Sequence, residues 1–109
     1  MSIPDGFARV ARLSELSENR GKIVQIGGRA IALWRVDGRV YALDNLCPHQ
    51  HFPTMHLAQR DGKTLICPMH GWTFSLGSGI EKTGRGKIAT FRVEVNGDDV
   101  YVEEPTSTW

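Results

Sequence analysis

Two short motifs can bring two thiols and two imidazoles to a common centre: Cys47-Pro48-His49 and Cys67-Pro68-Met69-His70. Residues 50–66 separate them. Each motif presents one thiolate and one imidazole within two or three positions, so a single tight loop can offer both. Three kinds of chemistry use such a set. A structural zinc ion takes two Cys and two His tetrahedrally. A [2Fe–2S] centre takes two Cys on one iron and two His on the other. The third reading is a disulfide or a pair of buried thiols with surface histidines nearby. Ligand types alone leave these open. His51 and His56 are further imidazoles in the same stretch.

The surrounding chain reads as short strands joined by turns. Residues 7–11, 23–27, 30–36 and 39–43 have the β-branched and aromatic content of strands. Asp37-Gly38 between the last two is a two-residue hairpin signal, because both positions must take positive φ. Residues 89–95 alternate, with Ala89, Phe91, Val93 and Val95 on one face and Thr90, Arg92 and Glu94 on the other. Asn96-Gly97-Asp98 leads into a closing strand at 99–103. Only residues 13–19 hint at helix, for one or two turns before Gly21. These elements predict an all-β antiparallel sandwich or partly open barrel. The stretch 44–88 differs. It holds every histidine and cysteine, three of the five prolines and many glycines. It reads as a metal-organised subdomain inserted between strands of a single domain spanning residues 1–109.

Composition narrows the function classes. A length of 109 residues suits one domain. A net charge of +1 with no basic stripe speaks against nucleic acid. The start, Met1-Ser2-Ile3-Pro4-Asp5-Gly6, lacks the pattern of a secretory signal, and no apolar run approaches the ~18 residues of a membrane span. Both favour the cytoplasm. Two cysteines in a reducing compartment point to metal or redox work rather than a disulfide.

The flanks of the two motifs carry a resemblance. C-x-H followed by C-x-x-H at this separation, a proline after each Cys, and the run Cys67-Pro68-Met69-His70-Gly71-Trp72 leading to Phe74 resemble the Rieske signature. So do the preceding residues 40–47 and the closing hairpin from Phe91 to Val102. The resemblance implies an all-β Rieske fold and one [2Fe–2S] cluster. It implies Cys47, His49, Cys67 and His70 as ligands, with His51 and His56 left as surface or loop residues. It also implies that the imidazoles lie near the surface, where the electron leaves.

Respiratory Rieske proteins carry additional cysteines in the two loops, and Ser and Tyr hydroxyls that raise the potential. Here Phe52 and Met69 replace that cysteine pair, Trp72 stands in place of the Ser and Phe74 in place of the Tyr. This chain therefore resembles the low-potential soluble group, with only backbone N–H donors expected around the sulfur atoms. Within that group it resembles the ferredoxin component of aromatic-ring dioxygenase systems. The implied partners are a flavin-dependent reductase and a terminal oxygenase. The small subunit of an assimilatory nitrite reductase, partnered by its large subunit, is the alternative, and a zinc-stabilised binding module is the other. No catalytic triad is visible, so electron transfer rather than substrate turnover is expected. The glycine-rich segment 77–87 lacks the proline that many relatives have there. It reads as a flexible hairpin loop or as a basic docking element built on Lys82, Arg85 and Lys87.

Overall fold

The computed structural model describes residues 6–46, 53–68, 71–84 and 86–104. Among these are ten strands arranged in three antiparallel sheets. The central sheet runs β2 (Gly21–Ile26), β3 (Arg29–Val36), β4 (Arg39–Asp44) and β8 (Thr90–Phe91), in that order. A second sheet has the order β1 (Phe7–Arg12), β10 (Asp99–Glu103), β9 (Val93–Asn96). The third holds β5 (Gln59–Asp61), β6 (Thr64–Ile66) and β7 (Thr73–Ser75).

Strand β3 explains the layering. Its Ile31, Ala32, Leu33 and Trp34 are all buried, so both faces of the strand are covered. Ala32, Trp34 and Val36 enter one core with Met55, Leu65, Phe74 and Ile88 from the inserted segment. Ile31 and Leu33 enter the other with Ala11, Val100 and Val102 of the second sheet. The period-2 geometry of a strand divides alternate side chains between these two cores. The central sheet is thus covered on both faces, which accounts for an apolar run where a half-exposed strand would alternate.

The β3–β4 turn forms as the Asp37-Gly38 pair predicts, with φ of 53° and 77°. Glu18 completes it by accepting the N–H groups of Asp37 at 2.9 Å and Gly38 at 2.6 Å. β10 keeps the expected limits, 99–103. The expected strand 89–95 is instead two. Thr90–Phe91 pairs with β4, and Val93–Asn96 pairs with β10. The chain changes sheets at Arg92, whose carbonyl accepts the Glu103 N–H at 2.9 Å. A strand that turns such a corner keeps its alternation only locally, so Phe91 and Val93 pack on the core while Ala89 and Val95 are exposed.

The expected helix at 13–19 is a single 3-10 turn, Leu13–Glu15. Its neighbours are claimed by tertiary contacts. Leu13 N–H donates to Asp98 O, and Arg35 Nη1 donates to the carbonyls of Leu13 and Leu16. Asn19 then takes a positive φ of 65°. Too few residues remain free to repay helix nucleation.

The inserted segment leaves after β4 and returns in β8, which pairs with β4 through Ala42–Phe91 and Leu43–Thr90. It therefore emerges between hydrogen-bonded neighbours of the central sheet. Within it the third sheet is regular structure that the histidine-, proline- and glycine-rich composition did not suggest.

Candidate functional site

The first motif follows β4. Asp44 accepts the Leu46 N–H on Oδ1 at 3.2 Å and the Arg29 guanidinium on Oδ2 at 2.7 Å. Leu46 pairs with Pro53, and Met55 N–H donates to Asn45 O at 3.1 Å. The residues on either side of 47–52 are thus stitched together. Cys47, His49, His51 and Phe52 lie within 47–52, outside the described residues.

The second motif caps the β6–β7 hairpin. Beyond the Ile66–Thr73 pair, Cys67 N–H donates to Trp72 O at 2.8 Å and Gly71 N–H donates to Cys67 O at 3.0 Å. Gly71 sits at φ 72°, in the left-handed region that closes so tight a turn. Met69 and His70 lie outside the described residues. Cys67 itself is buried, at 1% exposure, in the core shared by the central and third sheets.

The bases of the two loops adjoin. Thr54 Oγ1, one residue past the exit of the first loop, lies 3.7 Å from Cys67 Sγ. The structure thereby locates one of the four candidate ligands and the closing residues of both loops. This arrangement fits a group shared by the two loops: a buried sulfur opens one of them, a hydroxyl stands beside it, and the other loop is closed against the same core. Thr54 was not legible as a site residue.

His56 is more than a solvated loop residue. Its N–H donates to Asn45 Oδ1 at 2.8 Å, and its Nδ1 lies 2.9 Å from the same oxygen. That oxygen accepts, so Nδ1 carries the proton. His56 clamps the exit of the first loop to its entry.

The segment 77–87 forms a hairpin among the described residues. Ser75 N–H bonds Ile80 O and Lys82 N–H bonds Thr73 O, which adds residues 80–82 to the edge of β7. Glu81 N–H then bonds Gly86 O, and Ile88 N–H bonds Gly79 O. Glu81 is 3% exposed, and its Oε1 accepts both the N–H and the hydroxyl of Thr83. A Cβ on Gly86 would stand 3.3 Å from the Trp72 ring, so the hairpin lies against the second loop. Lys82 and Lys87 are exposed, while Arg85 is outside the described residues. Glu81 too was invisible in the sequence, where only the short Glu-Lys-Thr spacing hints at a side-chain turn.

The family described as Rieske [2Fe-2S] domain matches residues 6–100. The chain belongs to this family. Its cofactor is a [2Fe–2S] cluster, and its role is electron transfer without catalysis of its own. The Rieske chain is 30% identical, over 84% of its length, to the ferredoxin component of the naphthalene 1,2-dioxygenase system of Pseudomonas aeruginosa, of which 88% is covered. The ferredoxin of carbazole 1,9a-dioxygenase from Nocardioides aromaticivorans superposes with a TM-score of 0.84. It shares the fold at 22% identity, with 93% of this chain and all of that one covered. A structure described as a nitrite reductase NADPH small subunit superposes with a TM-score of 0.80 at 25% identity, covering 88% of this chain and 96% of that one.

When bound, the cluster supplies reversible one-electron chemistry. The protein's part is to join the bases of the two loops, keep a cysteine sulfur out of water, and limit the donors around it. Trp72 and Phe74, with ring centroids 6.3 Å apart, supply no hydroxyl at the positions where the respiratory type has Ser and Tyr. Phe74 is fully buried. Among the described residues no helix is long and apolar enough to cross a membrane.

Proposed function

We propose that this Rieske protein is a cytoplasmic ferredoxin that passes single electrons from a flavin-dependent reductase to a terminal oxygenase. Cys47 and Cys67 hold one iron of its cluster and His49 and His70 the other. The observation that carries the reading is the similarity to the naphthalene dioxygenase ferredoxin component, which extends over most of both chains. The paired closure of the two loops supports the ligand set, since each loop contributes one Cys and one His.

The test is reconstitution. The purified chain should hold two iron and two labile sulfide, and should be reduced by a flavin reductase and oxidised by a ring-hydroxylating oxygenase under turnover. A second reading, a small subunit of a nitrite reductase, is favoured by the 25% identical structural neighbour. Stable co-purification with a nitrite reductase large subunit, with no electron delivery to any oxygenase, would select it. Colourless protein with one zinc would exclude both.

A further inference from the structure

Asn45 follows the last residue of β4 and stands two residues before Cys47. It is a polar residue with 0% exposure. Nearly every hydrogen-bonding group it has is used. Its N–H donates to Ala30 O at 3.1 Å, and its carbonyl accepts the Met55 N–H at 3.1 Å. Its Oδ1 accepts the His56 N–H and the His56 Nδ1–H. A backbone N–H can only donate, so the atom it meets is the amide oxygen, and the amide cannot be flipped. The Nδ2 amino group is therefore directed away from His56, and it meets no acceptor among the described residues.

An unmade buried donor costs about 1–3 kcal/mol. Buried polar groups in native proteins almost always find a partner, and an orphan is explained by strain, by a water or ion, or by a role in a redox site. Two residues of chain span at most about 7 Å. Asn45 therefore stands close in the chain to the first candidate ligand, and sulfur is an acceptor that an amide N–H can serve.

We infer that Asn45 Nδ2 donates a hydrogen bond to a sulfur atom of the bound cluster. Asn45 is then a positioning residue with two tasks. Its oxygen clamps the first loop through His56, and its nitrogen stabilises the negative charge that reduction adds at sulfur, which raises the potential. This inference rests on the ligand assignment above.

The experiment uses the whole chain with its cluster, grown with asparagine labelled with 15N only at the side-chain amide. Pulsed electron paramagnetic resonance of the reduced protein should show two histidine nitrogens and a weaker 15N coupling. The other two asparagines, Asn19 and Asn96, are exposed. The 15N coupling should vanish in Asn45→Asp, which can keep the oxygen acceptor but lacks the donor. The midpoint should fall in that variant by at least tenfold in the redox equilibrium, about 59 mV for one electron. His56→Ala should lower the melting temperature yet keep both the coupling and the midpoint. Two histidine couplings without the 15N coupling would overturn this inference alone. Absence of the histidine couplings would overturn the ligand assignment, and this inference with it. The labelled wild-type chain decides the matter even if Asn45→Asp does not fold.

Discussion

The hydroxyl of Thr54 lies 3.7 Å from the sulfur of Cys67 and joins the bases of two loops that are 13 residues apart in the chain. Thr54 closes the first loop from outside, beside the Leu46–Pro53 pair, while Cys67 opens the second. Either atom can donate while Cys67 is a thiol, but against a thiolate only the hydroxyl can. Thr54→Val keeps the shape and removes it. Cluster content should stay at two iron per chain. The midpoint should drop by about 20–60 mV, corresponding to the ~0.5–1.5 kcal/mol of a single hydrogen bond. Protein-film voltammetry measures this, and an unchanged midpoint would mean that the hydroxyl serves another partner.

Alanine at Cys47, His49, Cys67 or His70 should abolish the native visible spectrum, whereas alanine at His51 should preserve it. Metal binding is coupled to folding, so the four ligand variants should also lose protease resistance between residues 44 and 88. A bleached His51→Ala protein beside an intact His49→Ala protein would reverse the choice of imidazole.

His56→Ala is a different case. It removes the Nδ1–H bond to Asn45 but leaves the backbone bond. The spectrum should persist, and stability should fall by about 1 kcal/mol. Thermal melts of the two proteins, each loaded with cluster, give the comparison.

Glu81 organises the hairpin that follows the second motif. Glu81→Ala removes the acceptor of the Thr83 N–H and hydroxyl and should cost about 1 kcal/mol. Hydrogen exchange should quicken from Gly79 to Ile88 before it does so in the central sheet. Gly79→Ala should disrupt the same hairpin more severely. Gly79 has φ +76°, and a Cβ there would come within 2.1 Å of Ile88 O. Uniform loss of protection across the chain in Glu81→Ala would show that the hairpin does not open separately.

The midpoint of the native protein should fall near the low end of the span from about −150 to +300 mV that Rieske centres cover. The reason is the absence of hydroxyl side chains at Trp72 and Phe74. Phe74→Tyr restores a hydroxyl but buries it in a full core, so it should raise the potential only if that hydroxyl reaches sulfur. A melt that drops with no change in midpoint would place the hydroxyl in the core instead.

Local chemistry was legible from the residues alone. The Asp37-Gly38 turn and the closing strand at 99–103 are properties of adjacent residues, and turn conformation follows from side-chain identity. Family membership rested on such short runs too. The tertiary structure decided what depends on distant segments. Phe91 and Val93 share an alternating pattern, yet they belong to different sheets because Glu103 draws the Arg92 carbonyl away from β4's partner strand. Residues 77–87 read as a glycine-rich hairpin loop, but only the tertiary structure shows that residues 80–82 add to the edge of β7 and that Glu81 is buried there. Asn45, Thr54 and Glu81 carry no motif. Their roles arise when residues 45 and 56, or 54 and 67, are packed together away from water, where a hydrogen bond left unmade is costly.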